Sequence, residues 1–64
     1  MYFTMTTSDN KTYCSKVLEG SVIEIGRKIS MLIAEGGSFQ LEGGEHIFFS
    51  KKVAENSIFH LYTK

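Results

Sequence analysis

The sequence predicts an α+β fold, a small antiparallel sheet with one helix packed across it, in the order β-β-α-β-β-β. Three observations predict it. A polar turn at Ser8-Asp9-Asn10-Lys11 lies between apolar runs, a capped amphipathic helix starts at Ser21, and a Gly43-Gly44 hairpin turn lies between two further apolar runs. These signals fill the 64 residues with almost none to spare, so residues 1–64 read as a single domain.

The segments Tyr2 to Thr7 and Thr12 to Leu18 are rich in β-branched and aromatic residues, which suit a pleated, half-buried surface. With Asp9 and Asn10 as the two turn residues, Thr7 faces Thr12 and Met5 faces Cys14. Side chains alternate along a strand. Phe3, Met5, Cys14 and Leu18 therefore form a core face, and Tyr2, Thr4, Thr6, Tyr13 and Ser15 form an amphipathic outer face.

Ser21-Val22-Ile23-Glu24 is a capping-box pattern, in which serine hydroxyl and glutamate carboxylate satisfy each other's free amides. Val22, Ile25, Ile29, Leu32 and Ile33 then recur at helical spacing as one apolar stripe, widened by Ile23 and Met31. Arg27, Lys28, Ser30 and Glu35 lie off the stripe, and Gly36-Gly37 supplies a left-handed stop. Gly26 costs about 1 kcal/mol against alanine in a helix interior. It reads either as a point of close backbone approach or as an accepted defect.

A two-residue turn at Gly43-Gly44 pairs Glu42 with Glu45, Leu41 with His46 and Phe39 with Phe48. Phe39, Leu41 and Phe48 then face the helix, and Ile47 and Phe49 face away. A one-residue slip exchanges the sets but hides neither. One helix covers one side only, so the second apolar side calls for a partner. Val53-Ala54-Glu55-Asn56 reads as a turn or one helical turn anchored by Val53. Ser57 to Thr63 is a last strand, where Ile58, His60 and Tyr62 alternate with Phe59 and Leu61.

Composition narrows the function classes. A chain of this length buries only about 60% of its unfolded surface, and such chains commonly add disulfides, metal or oligomerisation. The single cysteine forbids an intrachain disulfide, and Cys14, His46 and His60 do not make a spaced zinc set. Oligomerisation is the remaining staple, so a homodimer or higher homo-oligomer is expected. Seven basic and seven acidic residues cancel, against a polyanion binder driven by bulk charge and equally against an acidic DNA mimic. No apolar run approaches the roughly 20 residues of a membrane span. Met1-Tyr2-Phe3-Thr4 lacks the basic and apolar regions of a signal peptide, and a lone cysteine fits a reducing, cytoplasmic setting.

No catalytic, cofactor-binding or metal-ligating residue is expected, and the chain reads as a non-enzyme. Cys14 has no cationic or histidine neighbour in sequence and reads as a structural thiol. His46 and His60 read as half-exposed strand residues, and Glu42 and Glu45 as solvated groups flanking a turn. Neither glycine pair belongs to a phosphate loop. Arg27, Lys28, Lys51 and Lys52 are the candidates for a local basic patch, which beside Tyr13 or Tyr62 would suit a nucleotide or single strand. Ile47, Phe49, Tyr2 and Tyr13 are the residues expected at an interface, where aromatics give large contact area.

Phe3-Thr4-Met5-Thr6-Thr7-Ser8-Asp9-Asn10-Lys11-Thr12-Tyr13, the short capped helix and the closing Ala54-Glu55-Asn56-Ser57-Ile58-Phe59-His60-Leu61 together resemble the layout of very short proteins from phages of Bacillus-like hosts. Characterised members include small dimeric inhibitors of host enzymes or defence systems, among them the Bacillus-phage uracil-DNA glycosylase inhibitor. The likeness covers about half of the chain and carries over no residue role. This chain adds the Gly43-Gly44 hairpin and has no acidic excess. The resemblance implies a non-enzymatic inhibitor of a bacterial host or anti-phage defence protein, acting by protein–protein contact. The residues alone leave two other functions open: an oligomer that sequesters a small ligand or nucleotide between protomers, and a nucleic-acid-binding regulatory module.

Overall fold

The computed structural model describes residues 1–63. Its elements run β1 (Tyr2–Thr6), β2 (Thr12–Cys14), α1 (Val22–Glu35), β3 (Gly37–Gln40), β4 (His46–Phe49), α2 (Lys51–Glu55) and β5 (Ile58–Tyr62). The α+β class holds, with a second helix added between the last two strands. β1 is the centre of a three-stranded antiparallel sheet of order β2-β1-β5, and β3 pairs with β4 in a separate hairpin. A single bridge between Ser15 and Leu41 joins the two. There the Lys16 N–H donates to the Gln40 carbonyl at 2.9 Å and the Glu42 N–H to the Cys14 carbonyl at 3.1 Å.

Both hairpins use the same turn, and neither is the two-residue turn expected. The Thr7 N–H donates to the Lys11 carbonyl and the Asn10 N–H to the Thr7 carbonyl, each at 2.9 Å. In the second hairpin the Leu41 N–H donates to Glu45 at 2.7 Å and the Gly44 N–H to Leu41 at 2.9 Å. The fourth residue of each turn is left-handed, Asn10 at φ 70° and Gly44 at φ 97°. That is the three-residue loop in which a left-handed residue closes the turn, and asparagine and glycine are the side chains that tolerate it.

The extra loop residue shifts both registers by one. Met5 pairs with Tyr13 and Thr4 with Cys14, so Tyr13 enters the core and Cys14 the outer face, the reverse of the expected placement. Phe39 pairs with Ile47, Ser38 with Phe48 and Gly37 with Phe49. Ile47 and Phe49 therefore join Phe39 in the core and Phe48 turns outward, again reversing the expectation. Leu18 keeps its expected place in the core. Its N–H donates to the Met1 carbonyl and the Met1 ammonium donates to the Leu18 carbonyl, one residue further along than Thr4–Cys14 pairing would give. A bulge after Ser15 thus cancels the shift made at the turn.

Ser15 sits at this junction and is 2% exposed, on the inside rather than the wet face expected for it. Its N–H donates to the Phe3 carbonyl at 2.9 Å, and its Oγ accepts from the Phe3 N–H at 3.0 Å. The same hydroxyl donates to the Lys16 carbonyl at 3.0 Å. Ser15→Ala leaves the buried Phe3 amide without an acceptor and should cost about 1–3 kcal/mol. Urea unfolding measures the loss, and amide exchange should quicken first at Phe3.

The α1 cap is as expected: Glu24 N–H donates to Ser21 Oγ at 3.2 Å and Ser21 N–H donates to Glu24 Oε1 at 3.0 Å. Ile25 and Leu32 are buried and Ile29 packs beside them, but Val22 and Ile33 at the margin of the stripe stay largely in solvent. The hydrogen bonds from Ser21 hold the Glu24 carboxyl below its ordinary pKa of 4.5. A depressed folded-state pKa gives stability that is present above 4.5 and lost as pH falls through the folded value. The difference in melting temperature between the wild type and Glu24→Gln should therefore be full near neutrality and vanish in strong acid. Gly26 has nothing within 4 Å of where a Cβ would stand, so no backbone approaches it. Gly26→Ala should stabilise the chain by about 1 kcal/mol in chemical denaturation.

The segment after β4 forms helix α2 from Lys51, with Ser50 Oγ accepting from the Val53 N–H at 3.3 Å. Its buried anchor is Ala54, whereas Val53, the expected anchor, is exposed. The core has two clusters. Phe3, Ile25 and Leu32 centre one, Met5, Phe49 and Ala54 the other, and Phe39 and Phe59 pack against both. Aromatic rings link them: Phe3 to Phe39 at 4.9 Å, Phe39 to Phe49 at 5.7 Å, and Phe49 to Tyr13 at 5.1 Å. The radius of gyration, 10.7 Å, equals the about 10.7 Å expected for a compact domain of this length. Apolar groups left outside are thus not a sign of loose packing.

Candidate functional site: bare edge strands and a lysine-rimmed groove

Among the described residues, nine large hydrophobic side chains are exposed and six hydrophobic residues are buried, so the surface rather than the core holds much of the bulky apolar material. Three of these exposed groups stand on strands. Phe48 on β4 is 71% exposed, and Ile58 and Tyr62 on β5 are 63% and 42% exposed. β4 pairs only with β3 and β5 only with β1, so each is an edge strand with one side unpaired among the described residues.

The outer face of the three-stranded sheet is built by alternation. Tyr2 opposes Tyr62, Thr4 opposes His60, and Thr6 opposes Ile58. The Tyr2 and Tyr62 rings stack at 4.8 Å and 14°, and His60 stacks beside Tyr62 at 6.4 Å. Ile58, His60 and Tyr62 are exposed there, and Tyr2, Thr4 and Thr6 are half-buried.

Of the four residues expected at an interface, Tyr2 alone lies on this outer face. Phe49 is 8% exposed, and Ile47 and Tyr13 pack against it. The register shift that placed them inside put Phe48 in their stead. Counting the left-handed Gly44 into the loop turns Phe48 outward in the sequence too.

A groove of about 470 Å³ lies between the second half of α1 and the β2–β3 junction. Phe3, Leu18, Met31, Leu32 and Phe39 line its apolar floor. Lys16, Lys28 and His46 reach its rim with Gln40, and no carboxylate lines it. Of the expected basic patch, Lys28 lines the groove, whereas Arg27, Lys51 and Lys52 do not; Lys16 takes their place. The bulge after Ser15 positions Lys16, a feature with no signature in residue type.

The other chemistry-bearing side chains stand apart. Cys14 is half-buried on the outer face, where burial, and then the Glu42 carboxylate, raise its pKa above the ordinary 9.0 and keep the thiol protonated near neutrality. His46 is on β4 and His60 on β5, in different sheets. Glu42 and Glu45 are exposed at the second turn. No group of three histidine, cysteine or carboxylate side chains converges among the described residues, and no helix there is long and apolar enough to cross a membrane. No protein-family model matches this chain, and comparisons with curated proteins and with solved structures likewise give no match.

Proposed function

We propose that this chain is a small non-enzymatic binding protein that acts by contact with a bacterial protein in the cytoplasm. Its class is the one implied by its resemblance to short phage proteins, an inhibitor of a host or anti-phage defence protein. The observation that carries this reading is the pair of bare edge strands, with Phe48 71% and Ile58 63% exposed in an otherwise compact chain. An unpaired strand edge offers main-chain hydrogen bonds, and alternate side chains beside it offer specificity. Large apolar groups exposed on an unpaired strand are the side chains such an added strand would cover. The double variant Phe48→Asp/Ile58→Asp tests the reading, since both positions are exposed and their loss leaves the core intact. Captured on a resin from bacterial lysate, the wild type should retain one polypeptide in stoichiometric amount, and the variant should lose it with an unchanged circular dichroism spectrum. Equal retention by both proteins contradicts the reading, as does no retention by the wild type.

A further inference from the structure

We propose that the groove between α1 and the β2–β3 junction binds a small anion with a flat apolar body, of the chemical class of a nucleoside monophosphate. Phe48, Ile58 and Tyr62 do not line the groove, although it adjoins β4, since His46 and Ser38, the cross-strand partner of Phe48, both line it. Three features of the groove select this class of ligand.

Size is the first. About 470 Å³ falls in the lower part of the roughly 300–1,000 Å³ typical of small-molecule sites. A folded peptide or a protein loop would not need so localised a hollow.

The second is the division of the lining. Leu18, Met31, Leu32 and Phe39 give an apolar bed, with Met31 itself more than half exposed. A thioether and a phenyl ring in one lining are adaptable, polarisable partners for a planar ring.

Charge is the third. The chain as a whole is neutral, yet the groove collects Lys16 and Lys28 with no opposing carboxylate in its lining. Glu19, three residues after Lys16, and Glu24, one turn before Lys28, are the nearest acidic residues in sequence; neither lines the groove, and the Glu24 carboxylate accepts from the Ser21 N–H at 3.0 Å. Both lysines are exposed, so they contribute to an anion site without burying an unpaired charge. Gln40 is anchored by donating its Nε2 to the Gly44 carbonyl at 2.9 Å, which ties the rim to the second turn.

The experiment is a titration of ¹⁵N-labelled wild type with adenosine, guanosine, cytidine and uridine 5′-monophosphates into the millimolar range, followed by amide chemical shifts. Adenosine alone and inorganic phosphate alone serve as comparisons. The expected result is saturable shifts confined to Met31, Leu32 and Gly37 to Gln40 for at least one monophosphate. Binding should weaken at least about tenfold in Lys16→Glu/Lys28→Glu, the sum of two reversed exposed charge contacts. Four results would each overturn the proposal. They are no saturation with any monophosphate, shifts lying elsewhere, an affinity unchanged in the double variant, or matching shifts and affinity from phosphate or adenosine alone. Because both lysines are exposed, the variant's unliganded spectrum should otherwise match that of the wild type.

Discussion

Gly36→Ala should remove a large part of the chain's stability. Gly36 ends α1 at φ 78° and ψ −179°, and its N–H donates to the Leu32 carbonyl at 2.8 Å. That backbone region is nearly exclusive to glycine, and holding another residue there costs about 1–3 kcal/mol. A second cost is steric. A Cβ on Gly36 would stand 2.6 Å from the Lys51 nitrogen and 2.9 Å from both the Phe49 oxygen and the Ser50 carbonyl carbon. All three are main-chain atoms, so no side-chain rotation relieves the contact. Overpacking of this kind adds about 1–3 kcal/mol. The total stability expected of 64 residues is about 3–10 kcal/mol, so the substitution removes a large part of it. Far-UV circular dichroism and amide dispersion read the outcome. A cooperative unfolding curve with the wild-type midpoint would show that α1 and the β4–α2 connection do not meet at Gly36.

Phe49→Ala should cost about 3–5 kcal/mol, the range for truncating a buried phenylalanine. Phe48→Ala should change stability by no more than about 0.5 kcal/mol. Phe49 is 8% exposed and contacts the rings of Tyr13 at 5.1 Å and Phe39 at 5.7 Å, whereas its neighbour is 71% exposed. The two residues are chemically identical and adjacent, so their contrast isolates the strand register. Urea unfolding of the two variants side by side measures it. Equal costs, or a larger cost at Phe48, would mean that β3 and β4 pair one residue out of the register described here.

That contrast also shows where the sequence was legible and where it was not. The capped helix was plain because its signals are local: Ser21 and Glu24 lie within one turn of each other, and Gly36 stops the helix in the next residue. The hairpins were recognisable as hairpins for the same reason. Their registers were not, because a two-residue and a three-residue loop can use the same turn residues, and the choice moves every later side chain to the other face. At Asn10 and Gly44 the left-handed residue belongs inside the loop. Phe3 and Met5 were placed correctly because they precede the first turn. Tyr13 and Cys14 exchanged faces because they follow it, and Leu18 was restored by the bulge after Ser15. Ser15 and the groove beside it carried no signal, since a buried serine that accepts from a backbone amide twelve residues away is a tertiary fact. Val53 and Ala54 were confused because a five-residue helix is too short for periodicity to tell its buried side.

The alternation left Ile47 and Phe49 on an uncovered second side of the sheet, whereas the register places them inside and leaves Phe48, Ile58 and Tyr62 as the exposed apolar residues on strands. The central claim is that these bare strands exist to be covered by another polypeptide. Native mass spectrometry of the protein, purified gently from bacterial cells, tests it most directly. The account predicts a wild-type species carrying a second chain in fixed ratio, either a bacterial protein or another copy, and a Phe48→Asp/Ile58→Asp species of bare monomer mass. A wild type that is itself a bare monomer at micromolar concentration would contradict the claim.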